Sequence, residues 1–432
     1  MKTVIMAGGK GTRISEMFPN IPKPLIPMSD GLTTKPLLEW EIENLSKQGF
    51  KDIIVTVSHL ADQIMDCLGD GSRLGVQIEY CIERSPLGNA GALFKFLDKL
   101  TDDFLLLNAD AVFDIDFNRM VDHHRATGAI ATLFTHPNSH PYDSGIIVAN
   151  KDGSVESWLT KEDIRPEYYK NRVNAGIHIL SPKVLSESGI KADEVDSEHR
   201  VDLDRKLLKP LCGTGKMYCY DSPEYVKDMG TPERYMQVSS DYRNGVVKAK
   251  SLKNKQKAIF LDRDGTINKY VGFLTNIDDF ELIPGVAEAI KKINSSGYLA
   301  IVVTNQPVIA RGEVSFSELE KIHNKMETLL GQEGAYLDAI YYCPHHPHKG
   351  YEGEVPELKI ECECRKPKPG LIQKACIDYN IDMKASWMIG DGENDVLCGQ
   401  NAGCRTALIG HEDYHQDIAA DSLLCAIEQI VL

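Results

Sequence analysis

Short apolar runs rich in β-branched residues, each followed by a helical pattern, constrain this chain more than any other feature. They stand at 3–6, 53–57, 104–107 and 129–134 in the first half, and at 258–261, 300–303 and 387–389 in the second. Strands buried on both faces read as continuous apolar runs, and strands that alternate with helices join in parallel sheets covered on both sides. The fold class is therefore α/β. With 432 residues and about 100–200 residues per domain, two separate three-layer, doubly wound domains are expected. The boundary falls in DYRNGVVKAKSLKNKQK at 241–257, which is polar, Lys-rich and without apolar periodicity, and which the run AIFLD follows directly. It reads as a linker, with an exposed basic helix extending the first domain as the alternative. The expected organisation is a domain at 1–240, a linker at 241–256 and a domain at 257–432, with no internal repeat.

A net charge of −15 excludes a general nucleic-acid or anionic-membrane binder, because those need basic surface. It leaves room for phosphorylated small substrates, which a few Lys, Arg and metal ions can hold. The start, MKTVIMAGGKGTR, is too soon interrupted by Gly and charge to be a signal peptide, and no apolar run approaches a membrane span. Eleven cysteines, an odd number, argue for a reducing compartment over a disulfide framework. A cytoplasmic protein is expected.

The first strand runs into Ala7-Gly8-Gly9-Lys10-Gly11-Thr12-Arg13. Gly8, Gly9 and Gly11 let backbone N–H groups approach a phosphate chain, and Arg13 adds a bidentate phosphate donor. Lys23, between Pro22 and Pro24, sits in a stiff segment. The loop is neither GxGxxG nor a Walker P-loop. GGKGTR followed by PKPL resembles the sugar-1-phosphate nucleotidyltransferase family, and further matches follow in order over roughly residues 1–236. Leu87–Ala92 (LGNAGA, with Gly88) is similar to the segment that contacts the base, and Asp110 in LNAD to the metal-binding aspartate. Asn174 and Gly176 in NAGI resemble the segment that meets the sugar, and Asp228 in DMGTPE the second metal ligand. Lys161 stands where the family has a lysine near the sugar phosphate, but Thr160 replaces the usual Glu, which implies altered sugar recognition. The resemblance implies that a sugar 1-phosphate attacks the α-phosphorus of a nucleoside triphosphate, with Arg13, Lys23 and Mg²⁺ on Asp110 and Asp228 neutralising charge.

In the second half a buried strand ends in Asp262-Arg263-Asp264-Gly265-Thr266. Carboxylates at the carboxyl end of a strand lie where open α/β sheets bind ligands. The sequence resembles motif I of the haloacid-dehalogenase phosphatase superfamily. The resemblance implies that Asp262 is the nucleophile and Asp264 the acid and then base. Thr304 would hydrogen-bond the phosphoryl group, Asn305 would contact substrate, and Lys366 would neutralise phosphoryl oxygens. Asp262, Asp264 and Asp391 are expected to hold Mg²⁺, with Asp395 assisting. Only 267–303 separates the first two motifs, too little for a folded cap there. Cys343, His345, Cys362 and Cys364 give three sulfurs and one nitrogen, a closed structural zinc set; His346 and His348 are alternative ligands. Zinc would hold the substrate-reading Arg365 and Lys366. DRDGTIN, CPHHP…CxCRKPKPG and GDGxxD together resemble the capless zinc-loop phosphatases that remove the 7-phosphate from heptose 1,7-bisphosphate, a set shared by histidinol-phosphate phosphatases. Pro307-Val308 and Gly392 depart from it.

A sugar 1,7-bisphosphate phosphatase releases what a sugar-1-phosphate nucleotidyltransferase consumes. HPYDSGII at 140–147 and LNADAVFDID at 107–116 resemble the heptose 1-phosphate guanylyltransferases. The expected partners are therefore GTP, heptose 1,7-bisphosphate and heptose 1-phosphate. UTP or CTP with another sugar, a histidinol-phosphate activity and a non-catalytic sensor half are the rivals. A homo-oligomer is compatible with the sequence.

Overall fold

The computed structural model describes residues 1–9, 13–350 and 352–431. The chain divides into two compact units. The first comprises Met1–His136, Ile147–Leu159 and Asn174–Ser251; the second comprises Pro137–Ile146, Thr160–Val173 and Leu252–Leu432.

In the first unit, strands β1 (Lys2–Met6), β2 (Asp52–Val57), β3 (Gln77–Ile82) and β4 (Phe104–Asn108) pair in parallel in the order β3-β2-β1-β4. β5 (Val173–Leu180) joins β4 antiparallel, with Ile177 opposite Leu107 and His178 opposite Leu106. Successive side chains point to opposite faces. Ile5, Val55, Leu107 and Ile177 therefore build one core layer, while Val4, Ile54 and Leu106 build the other. The carboxyl ends of β1 and β4 run into the glycine-rich loop and into Asp110.

The second unit has a six-stranded sheet. β6 (Lys257–Leu261), β7 (Tyr298–Asn305), β8 (Ala339–Cys343), β9 (Trp387–Gly390), β10 (Arg405–Ile409) and β11 (Ile418–Ala420) lie in the order β8-β7-β6-β9-β10-β11, all parallel. The chain moves from β6 to one side and returns to the other with β9. Asp262 and Asp391 thus emerge at a topological switch point, where α/β sheets leave a crevice.

Two loops of N-terminal sequence belong to this second unit. Helix Phe316–Gln332 opens with a capping box, Ser315 and Glu318, and buries Leu319, Ile322, His323, Met326 and Leu330 at helical spacing. On its flank the Tyr169 N–H donates to Thr328 Oγ1 (2.9 Å) and the Asn171 N–H to Glu327 Oε2 (3.0 Å). Buried Arg172 pairs with buried Glu327 (3.3 Å) and donates to the Asp338 carbonyl (3.0 Å). Arg165 ties the two loops together through the carbonyls of Thr160, Pro141, Tyr142 and Ser144.

The stretch 241–256 is not an extended tether. Helix Pro232–Arg243 enters it, a short helix follows at Val246–Ala249, and Val247, Lys250, Ser251, Leu252 and Gln256 are buried. Apolar packing of Val247 and polar bonds such as Gln256 N–H to the Asn380 carbonyl (3.0 Å) order it, and the polar bonds leave no apolar periodicity in the sequence.

Candidate active sites

In the first unit a two-stranded ribbon pairs Val226–Asp228 antiparallel with Ala111–Phe113, setting Asp228 opposite Ala111. This brings Asp228 to the segment that begins at Asp110. The Lys23 ammonium bonds Asp110 (2.6 Å). Asp228 accepts from the Gly230 N–H (2.8 Å) and from Arg234 (2.6 Å). Burial pushes the Asp228 carboxyl up, but Arg234, the Gly230 N–H and Lys23 outweigh it and hold the group below its ordinary value. A Cβ placed on Gly230 would lie 3.4 Å from Lys23 Nζ and 3.5 Å from Arg13 Nη2. Arg13, Lys23, Asp110 and Asp228 therefore converge. Two carboxylates flanked by cations suit a divalent ion and a polyphosphate. Gly11 lies outside the described residues. Gly8 sits beside Glu83: a Cβ there would be 3.2 Å from Glu83 Oε1. Burial raises the Glu83 carboxyl above its usual value.

Gly88 has φ +87°, and a Cβ on it would collide with the Val201 carbonyl. The Val201 N–H in turn donates to the Leu87 carbonyl (2.8 Å), and the Leu203 N–H to Asn89 Oδ1 (2.7 Å). The LGNAGA segment is thus pinned by backbone at 201–203, a constraint that accounts for Gly88 independently of a base. Gly176, at φ +73°, allows the Asn108 side chain to lie against its Cα. Asn174 accepts from the Gly176 N–H (3.3 Å). Lys161 belongs to the second unit, where it pairs with Asp143.

In the second unit the buried Lys366 ammonium bridges Asp262 and Asp395, 2.6 Å from each. Asp262, Asp391 and Asp395 present carboxylate oxygens within 4.8 Å of one another. Burial raises Asp262 to about 6, against the opposing pull of Lys366 and with the help of Asp395; burial and Asp262 raise Asp391 to about 6. Three crowded carboxylates and one lysine leave negative charge that a divalent cation would neutralise. Asp264 borders the same cavity but is not one of the three converging carboxylates. It accepts from fully buried Arg263 (2.8 and 2.9 Å), Asn268 (3.0 Å) and Gln306 (3.0 Å). Gln306 also bonds Thr304 Oγ1 (2.9 Å). Asp262, Asp264, Thr304, Gln306 and Lys366 line this cavity of about 280 Å³, which Arg365 and Asn394 also border.

Asn305, expected to touch substrate, borders the same cavity and also clamps the Lys366 backbone. Its Nδ2 donates to the Lys366 carbonyl (3.1 Å) and its Oδ1 accepts the Lys366 N–H (3.0 Å). Arg263, Asn268 and Gln306 carry no role in the sequence reading. A signal existed for Arg263: alternation puts it on the opposite side from Asp262 and Asp264, into the core, where a charge needs a partner.

Cys343, His345, Cys362 and Cys364 converge as the spacing predicts. Their sulfurs are 3.2–3.5 Å apart, and His345 Nδ1 is 3.2 and 3.7 Å from two of them. That is too far for disulfides and close to the roughly 3.8 Å edge of a tetrahedron with 2.3 Å metal–sulfur bonds. The four form a candidate metal centre. Arg365 donates to the His345 carbonyl (3.2 Å), which ties it to this loop. His346 and His348 meet edge to face outside the four.

A family model described as nucleotidyl transferase matches residues 2–245, and one described as HAD-hydrolase-like matches 363–424. The D-glycero-β-D-manno-heptose-1,7-bisphosphate 7-phosphatase of Haemophilus ducreyi is 44% identical over 155 residues, 36% of this chain and 82% of that protein. The α-manno counterpart of Photorhabdus laumondii is 42% identical over 161 residues, 37% of this chain and 86% of that protein. Among solved structures, HddC from Yersinia pseudotuberculosis is 24% identical with a TM-score of 0.46, covering 56% of this chain and 99% of that one. No described helix is long and apolar enough to cross a membrane.

Proposed function

This chain belongs to the nucleotidyl transferase family and, through its C-terminal half, to the family of the heptose bisphosphate phosphatases; from that premise we propose that its two sites catalyse consecutive steps in the supply of a GDP-activated heptose. The chain is a bifunctional enzyme with phosphatase and nucleotidyltransferase activities. The observation that carries the reading is the Asp262–Lys366–Asp395 bridge with Asp391 at the sheet's carboxyl end. In the C-terminal site, Asp262 attacks the phosphorus of the 7-phosphate of heptose 1,7-bisphosphate. The P–O7 bond breaks, and Asp264 gives its proton to the departing alkoxide. Water then attacks the aspartyl-phosphate, Asp264 takes the proton, and inorganic phosphate leaves. Lys366 offsets charge on the transferred group, and Arg365 on the metal loop reads the sugar. The anomeric phosphate remains.

In the N-terminal site a phosphate oxygen of heptose 1-phosphate attacks the α-phosphorus of GTP, and pyrophosphate departs with the electron pair. The nucleophile is already ionised, so positioning and cations suffice. Arg13 and Lys23 supply them, and Gly8 and Gly9 let the phosphates approach. Mg²⁺ on Asp110 and Asp228, and on Asp262, Asp391 and Asp395, would supply further charge neutralisation, while Zn²⁺ on Cys343, His345, Cys362 and Cys364 would order the loop. Glu83 supports guanine, because one carboxylate can accept from both N1–H and the N2 amine of that base, an edge uracil and cytosine lack. We place the enzyme in the cytoplasm.

A one-pot reaction with the α or β heptose 1,7-bisphosphate, GTP, UTP or CTP, and Mg²⁺ tests this, with the nucleotide sugar identified by mass. GDP-heptose should form fastest, and Asp262→Asn should stop phosphate release while pyrophosphate release from heptose 1-phosphate continues. Better turnover of histidinol phosphate than of either bisphosphate would overturn the heptose assignment.

A further inference from the structure

His178 is a buried histidine with no part in the chemistry above. It lies on β5, 1% exposed, opposite fully buried Leu106. Its Nε2 is 3.1 Å from Asn174 Oδ1, and its Nδ1 is buried without a hydrogen-bond partner. Asn174, Gly176 and His178 share one face of the strand, since side chains alternate. Gly176 meets Asn108 on β4. Asn174 is two residues further along β5, toward the carboxyl end of β4, where Asp110 stands.

The hydrogen bonds fix every atom of this group. A backbone N–H can only donate, so the Asn174 atom that faces the Gly176 N–H is the oxygen. The same oxygen faces His178 Nε2, so that nitrogen must carry the ring proton; a bare Nε2 would set two lone pairs against each other. Burial holds the imidazole pKa down at about 3, so the ring stays neutral. With Oδ1 occupied twice, Asn174 has its NH₂ left, and among the described residues no partner takes it.

We infer that His178 is a positioning residue of the nucleotidyltransferase site, locking the Asn174 carboxamide so that it presents only donors to the sugar phosphate. This rests on the reading of Asn174 as a sugar contact. The group it meets is an acceptor, a hydroxyl or phosphate oxygen of the sugar. An amide free to rotate would offer a donor or an acceptor with equal ease and would discriminate less.

The test measures pyrophosphate release from GTP and D-glycero-α-D-manno-heptose 1-phosphate by the full chain, with phosphate release by the C-terminal site as the internal control. His178→Leu should raise KM for the sugar phosphate about fivefold to tenfold and leave KM for GTP unchanged, since one orienting hydrogen bond is lost. His178→Gln, whose Nε2 can donate from nearly the same place, should restore most of it. In an Asn174→Ala background, His178→Leu should add nothing further. A sugar KM within twofold of the parent in His178→Leu, or equal damage in the Gln and Leu variants, overturns the positioning role. If His178→Leu does not fold, His178→Gln with Asn174→Ala decides: full damage by Gln is the refuting result. An unchanged sugar KM in Asn174→Ala alone overturns the sugar contact itself, separately from the role of His178.

Discussion

Asn305→Leu separates two roles for one residue. The substitution keeps the volume of the side chain and deletes both hydrogen bonds to the Lys366 backbone, at 3.0 and 3.1 Å. Each neutral bond contributes about 0.5–1.5 kcal/mol, so about 1–3 kcal/mol of restraint on Lys366 is lost. If all of it is expressed when the phosphoryl group is transferred, kcat falls between about fivefold and 150-fold. The lower half of that range is expected, because Lys366 keeps its ion pairs with Asp262 and Asp395, 2.6 Å each. Steady-state phosphate release from heptose 1,7-bisphosphate gives kcat and KM separately, and pyrophosphate release from the same preparation shows that the protein is intact. A KM raised by this factor at constant kcat would refute the clamp, because the carboxamide would then be binding substrate directly.

Three further outcomes follow from the second unit. Burial holds the Asp262 and Asp391 carboxyls up at about 6 in the fold, above the ordinary value of 3.8. A carboxyl raised by folding stabilises below its unfolded value and loses that contribution as pH rises through the folded one. Protein dialysed free of Mg²⁺ should therefore melt lower as pH rises from about 4 to about 6, and added Mg²⁺ should raise the midpoint more at about pH 7 than at about pH 5; an equal rise at both would sink the claim. Elemental analysis should find a transition metal in the parent protein and none in Cys362→Ser, whose phosphate release should fall about tenfold or more while pyrophosphate release stays near the parent value. Glu327→Ala removes the buried carboxylate that neutralises Arg172, leaving the guanidinium only neutral partners such as the Asp338 carbonyl, and should cost about 3–5 kcal/mol in urea unfolding of the second unit; under about 1 kcal/mol would mean the pair is solvated.

What the sequence discloses is what is local. The runs at 3–6, 104–107 and 258–261 are strands because residues buried on two faces leave an unbroken apolar signature, and DRDGT and CxH…CxC are compact sets of adjacent ligands. Bonds between distant residues leave no such mark. The clamp of Asn305 on Lys366 spans 61 positions. Arg263 looks like a surface residue between two acids, yet is 0% exposed because His323, Asp264 and the core enclose it. The polar stretch 241–256 conceals buried Lys250, Ser251 and Gln256, whose burial depends on partners elsewhere in the chain.

The membership of 137–146 and 160–173 in the second unit changes what a fragment of this protein is. The peptide crosses between units at 136, 146, 159, 173 and 251, so the order of the two halves in the gene is not their division in space. A clone ending at residue 251 would carry Arg172 without Glu327, and Tyr169 and Asn171 without the helix side chains that receive their N–H groups. Loss of activity in such a clone would report a missing scaffold and say nothing of the chemistry. The two activities are better dissected in the full chain by single substitutions, and the same interleaving would penalise any later splitting of this gene into two.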